Sequence, residues 1–127
     1  MRDLVVDASA LAAVAFVEPE APLVTRRLNG ARLHSPVILL HELTHVAWKK
    51  TRREGLERAP VLRTLLENAL NYPVELHTVS HVEVFDLALH LKLTAYDAAY
   101  LWLARSLDVP LVTLDRQLAQ AAGRAGR

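Results

Sequence analysis

Four acidic side chains have the types and placement to do phosphoryl chemistry: Asp7, Glu42, Asp97 and Asp115. Asp7 closes the apolar run Leu4-Val5-Val6, and Asp115 closes Val109-Pro110-Leu111-Val112-Thr113-Leu114. Asp97 opens a helical stretch, and Glu42 rides on another. In open α/β sheets, ligands bind beyond the carboxyl ends of the strands. Carboxylates gathered there repel one another unless a cation holds them, and hard divalent cations such as Mg²⁺ prefer oxygen ligands. The chemistry suited to such a cluster is metal-assisted attack on a phosphate.

Each position also has a plainer explanation. Asp7 and Asp115 both follow a strand and precede a helix, where an aspartate caps the helix N-terminus. Asp97 lies three residues after Thr94, so the two could form a capping box. Glu42 falls among Ile38, Leu39, Val46 and Trp48 and could mark the polar edge of its helix. Capping accounts for each acid singly more easily than for all four together.

A competing pattern overlaps the second acid. His41-Glu42-Leu43-Thr44-His45 matches the H-E-x-x-H arrangement of zinc peptidases, in which two imidazoles one helical turn apart share a metal and the glutamate is general base. The extended form places Gly and His where this chain has Trp48 and Thr51. Glu67 is the candidate third ligand, with no motif around it, and the other three acids are left without a role.

The elements that must position these residues alternate between strand and helix. Residues 3–6 read as a buried strand, 8–17 as an apolar helix ended by Glu18-Pro19-Glu20, and 21–28 as a second helix. Asn29-Gly30 signals a turn, with an extended piece to His34. Ser35-Pro36 reads as a helix start, with the helix running to Glu54 and stopping at Gly55. A further helix is expected over 56–71, ended by Pro73, and a strand over 74–79. Ser80 caps a helix to Leu91, with Glu83 in the capping-box position. Thr94 starts another, to Leu107. Residues 109–114 form a continuous apolar strand of the buried parallel kind, and a last helix begins near Asp115. This alternation implies a parallel sheet covered on both faces.

The 127 residues are enough for one domain with a hydrophobic core, and an apolar content of 52% excludes disorder. The lack of cysteine removes disulfides and thiolate chemistry and fits a reducing cytoplasm. Asp7 and Ser9 interrupt the N-terminal apolar stretch, so a signal peptide or membrane span is not expected there. The net charge of +1 says little about partners. Locally, Lys49, Lys50, Arg52, Arg53, Arg58 and Arg63 cluster at the end of one helix and the start of the next. They are either helix C-terminal cations on a solvated face or a phosphate-attracting patch.

In order along the chain, Leu4-Val5-Val6-Asp7-Ala8-Ser9-Ala10, Leu40-His41-Glu42-Leu43, Leu93-Thr94-Ala95-Tyr96-Asp97-Ala98-Ala99-Tyr100-Leu101 and Leu111-Val112-Thr113-Leu114-Asp115 resemble PIN-domain ribonucleases. More closely, they resemble the VapC-type toxins of toxin–antitoxin pairs. The resemblance spans residues 1–127 as a single PIN-like domain. It implies a three-layer α/β/α fold with a mainly parallel central sheet. It also implies an acidic pocket of Asp7, Glu42, Asp97 and Asp115 that binds Mg²⁺ or Mn²⁺ and cuts RNA. Ser9 and Thr113 match positions that carry hydroxyls beside the carboxylates and are assigned supporting roles. The family implies a homodimer and a cognate antitoxin. Hydrolysis in such a pocket, by water activated at the metal, leaves a 5′-phosphate and a 3′-hydroxyl. Lys49, Lys50, Arg52, Arg53, Arg116 and Arg124 are candidates for contact with the RNA backbone. The main alternatives are the zinc peptidase and a PIN-like module that binds RNA or protein without cutting.

Overall fold

The computed structural model describes residues 1–124. Its strands are β1 (Arg2–Val6), β2 (Ala31–Pro36), β3 (Val74–His77) and β4 (Leu111–Val112). Its helices are α1 (Ala8–Ala15), α2 (Ala21–Leu28), α3 (Leu39–Glu54), α4 (Ala59–Leu70), α5 (His81–Leu91), α6 (Ala95–Leu107) and α7 (Arg116–Arg124). A short 3₁₀ turn, Leu56–Arg58, precedes α4. The sheet order is β3-β2-β1-β4, and all three pairings are parallel.

Side-chain alternation along β1 divides the interior in two. Leu4 and Val6 point into a core built with α1, α2, α3 and α4, among them Leu11, Val24, Leu39 and Leu62. Val5 points the other way, into a core with α5, α6 and α7 that includes Val84, Tyr100, Leu101 and Leu118. The result is the three-layer α/β/α arrangement expected of a parallel sheet whose connections are helical.

Two of the boundaries that differ from the sequence expectation bear on the site. Ser35-Pro36 does not begin a helix. It ends β2, with Ser35 opposite Leu76 and Pro36 opposite His77, and α3 starts at Leu39 without a side-chain cap. The pairing of β1 with β2 stops at Val5–His34, so Pro36, which has no N–H to give, lies beyond that ladder. The expected strand over 109–114 contracts to two residues. Val109 is held by its amide on the Ala104 carbonyl of α6, and Thr113 turns its hydroxyl to Asp7. The stop at Gly55 is as expected, with φ +114°, a conformation that disfavours any side chain.

Candidate active site

The site is built on two turns that leave the carboxyl ends of adjacent strands β1 and β4. Asp7 caps α1, its Oδ1 accepting from the Ala10 amide at 3.0 Å. The same oxygen accepts from the Ser9 hydroxyl at 2.8 Å, and Oδ2 accepts from the Thr113 hydroxyl at 2.5 Å. Both hydroxyls also accept from backbone amides of the β4–α7 turn: Leu114 donates to Ser9 and Asp115 donates to Thr113, each at 2.9 Å. The two hydroxyls lie 3.3 Å apart. Ser9 and Thr113 therefore tie the β1–α1 turn to the β4–α7 turn across 104 positions of sequence.

Asp115 caps α7, accepting from the Leu118 amide at 2.9 Å. Thr94 caps α6 by accepting from the amide of Asp97 at 3.1 Å, which holds Asp97 in the first turn of that helix. Glu42 sits in the first turn of α3. Its Oε1 accepts from the Tyr100 hydroxyl at 2.5 Å. Capping and convergence thus coexist: the helix starts that explain Asp7, Asp97 and Asp115 singly are also what bring them together with Glu42.

Electrostatics records that convergence. Burial pushes the Asp7 carboxyl above its ordinary value, opposed by hydrogen bonds from Thr113, Ala10 and Ser9, while the charge of Asp115 adds to the rise. Burial also raises Glu42. Tyr100 lowers it, Asp7 raises it and His45 lowers it again. Asp97 is pushed up to about 6, first by desolvation and then by repulsion from Asp115, Asp7 and Glu42. The Tyr100 phenol is raised by burial and by Glu42, so it stays a donor.

The donor set fits a hard divalent cation. Of the roughly four acceptor positions of the Asp7 carboxylate, three are filled by protein donors, and spare capacity remains on Oδ2. Cationic side chains do not appear among the causes that set the acidity of Asp7, Glu42 or Asp97, apart from His45 near Glu42. Among the described residues, the only group of three or more His, Cys, Asp or Glu whose ligand atoms all lie within 4.8 Å of one another is elsewhere, at His34, Glu75 and His77. The acidic ring is therefore wider than a closed all-protein cage. That suits a hard divalent cation that keeps several of its waters.

The histidines of the His41-to-His45 pattern do not join a ligand group. Both are exposed. His45 stacks on Trp48, ring centroids 5.4 Å apart, and His41 lines an apolar groove of about 630 Å³ beside Ile38, Tyr96 and Phe85. Of the basic candidates, Lys49, Arg53 and Arg116 are exposed, with Arg53 3.6 Å from Glu54. Arg52 lies over the Trp48 ring, and Lys50 pairs with Glu18. The Arg124 side chain lies outside the described residues. Tyr100 was missed from sequence. Its signal was there, three residues after Asp97 on the same helix face, but a buried tyrosine on an apolar helix reads as core.

A family model for the PIN domain matches residues 4–124. Ribonuclease VapC3 of Pyrobaculum aerophilum is 39% identical over 92% of this chain and 92% of its own length. Exonuclease VapC9 of the same organism is 33% identical over 91% and 83%. The crystal structure of PAE2754 from Pyrobaculum aerophilum superposes with a TM-score of 0.74 at 28% identity, covering 94% of this chain and 84% of that one. A four-stranded parallel sheet between two helical layers, an acidic site at its carboxyl edge and these likenesses agree: the chain belongs to the PIN-domain family, among its VapC-type ribonucleases.

Proposed function

We propose that the chain is a metal-dependent endoribonuclease, the toxin of a toxin–antitoxin pair, acting as one domain through Asp7, Glu42, Asp97 and Asp115. The observation that carries the reading is the convergence of four carboxylates, three of them with pKa raised above the ordinary value, at the carboxyl ends of β1 and β4. The names of its relatives, one a ribonuclease and one an exonuclease, support the nuclease class.

The four acids would hold Mg²⁺ or Mn²⁺, which when bound supplies an activated water and charge stabilisation at the scissile phosphate. The chain's own residues do the rest. Ser9 and Thr113 fix the Asp7 carboxylate so that its rotation is not lost on binding. Tyr100 orients Glu42 by donating to one oxygen and leaving the other free. Asp97, pushed up to about 6 by burial and its acidic neighbours, would give up its proton as the cation binds. Lys49, Arg52, Arg53 and Arg116 supply cations for the RNA backbone, with Lys50 the least available because Glu18 holds it. An antitoxin and a second copy of the chain are the proposed protein partners. Val82, Phe85 and Leu89, exposed along α5, give an apolar surface that a protein partner would cover. No helix among the described residues is long and apolar enough to cross a membrane, and a cytoplasmic location is proposed.

The test is cleavage of a circular RNA, which has no end for an exonuclease, with Mg²⁺, Mn²⁺ or EDTA. Linear products bearing a 5′-phosphate, formed only with a divalent ion, abolished in Asp97→Asn and retained in His45→Ala, are expected. A 2′,3′-cyclic phosphate, or cleavage indifferent to EDTA, overturns the mechanism. Degradation of linear RNA alone makes the enzyme an exonuclease.

A further inference from the structure

We infer that His34, Glu75 and His77 form a zinc-binding site, separate from the acidic pocket, that clasps the edge strand β3 to the sheet. The site follows from register. His34 of β2 lies opposite Glu75 of β3, and His77 is two residues further along β3, so all three project from one face of the sheet. Asp3 of β1, two residues before Val5, which pairs with His34, shares that face.

The two imidazoles converge on one point. His34 Nδ1 is 2.9 Å from His77 Nε2, and the Glu75 carboxylate reaches to 3.7 Å from the same His77 nitrogen. All three ligand atoms lie within 4.8 Å of one another. In a tetrahedral zinc site with bonds of about 2.0–2.1 Å, ligand atoms are about 3.3 Å apart. The separations here bracket that value, so closure needs small side-chain adjustments and no movement of the strands.

The second ring nitrogen of His34 settles its tautomer. Nε2 lies 2.8 Å from Asp3 Oδ1. An ionised carboxylate only accepts, so Nε2 carries the hydrogen, and in the neutral ring that binds a metal Nδ1 presents a lone pair toward His77. A carboxylate behind a histidine whose other nitrogen faces the ligand point is the arrangement that orients metal-binding imidazoles. His34 is buried, His77 half-buried and Glu75 exposed, giving an anchored inner ligand and an outer face with a fourth position open to water. Two imidazoles and one carboxylate favour Zn²⁺ over Mg²⁺, which takes oxygen. By the same logic the two sites divide metals between them.

The experiment uses tag-free protein carrying Asp97→Asn and Asp115→Asn, which depletes the acidic pocket, and titrates it with Zn²⁺ and with Co²⁺ as a spectroscopic probe. Expected are one Zn²⁺ per chain, a melting temperature that rises with zinc concentration, and a Co²⁺ absorption spectrum of tetrahedral type. His77→Gln, at a half-buried position and checked for an unchanged fold by circular dichroism, should abolish all three. Asp3→Asn, which removes the orienting carboxylate, should weaken zinc binding about tenfold to a hundredfold. In the otherwise unaltered chain, His77→Gln should leave Mg²⁺-dependent RNA cleavage in place. Zinc binding equal in the His77→Gln and His77 forms, or no zinc bound by folded protein, overturns the site.

Discussion

Asp97 combines the largest acidity shift among the site's carboxylates with partial exposure, and its consequences can be read without any substrate. Its folded value near 6 lies above the ordinary 3.8. The folded state therefore binds this proton more tightly than the unfolded state. The stability that this supplies is present below about pH 4 and is lost as pH rises through about 6. After discounting for solvent screening of a half-exposed group, the loss is about 1 kcal/mol. In EDTA, Asp97→Asn should equal the parent in melting temperature near pH 4 and exceed it at pH 7.5. A mutant that is less stable at both would mean that the carboxylate serves the helix start rather than the pocket. Tyr100→Phe probes the neighbouring acid. It keeps the buried ring and removes one charge-assisted bond to Glu42, which should cost about 1–2 kcal/mol in denaturant melts. It should also weaken Mg²⁺ binding, measured by calorimetry, while leaving the fold intact. The four acids were legible in sequence because each sits at a strand end or helix start, where topology dictates position. The Tyr100–Glu42 bond was not, because it joins α6 to α3 across 58 positions that only packing relates.

Caps set the helices that carry the site, and their sequence signals were largely right. Ser80 and Thr94 both accept from the amide three residues on, as expected of N-caps. The reciprocal half of the Ser80 box is absent: Glu83 instead accepts from the Trp102 indole at 2.8 Å, binding α5 to α6. Ser35-Pro36 carried an equally good local signal and was misread. A strand partner, β3, lies 38 or more residues away in sequence, and strand pairing overrode the capping preference. The outcome leaves a trace, since the Ser35 hydroxyl is buried with no partner among the described residues. Thr94→Ala is the informative change at this scale. Loss of the cap should cost about 1 kcal/mol. The freed first turn of α6 should lower cleavage more than Ser80→Ala does, because Asp97 lies in that turn and no proposed site acid lies in the first turn of α5. Equal effects of the two on cleavage would separate helix stability from site geometry.

At the scale of the molecule, the class of fold followed from alternation of apolar strand and amphipathic helix, and the structure keeps it. The order β3-β2-β1-β4 did not follow, since apolar runs do not name their neighbours. Placing β1 inside the sheet has a temporal consequence. The turn holding Asp7 is synthesised well before its partner hydroxyl, Thr113, which lies 106 positions later. The Asp7 amide likewise waits for the Val112 carbonyl. A growing chain on the ribosome therefore carries Asp7, Glu42 and Asp97 without a closed pocket until Val112 and Thr113 have left the exit tunnel. A protein that cuts RNA would be assembled next to RNA in an unarmed form, and a chain released before β4 would be inactive and would leave β1 exposed as an edge strand. Stalled chains ending before Leu111 should leave the Asp7 amide open to hydrogen exchange, and chains carried through α7 should protect it.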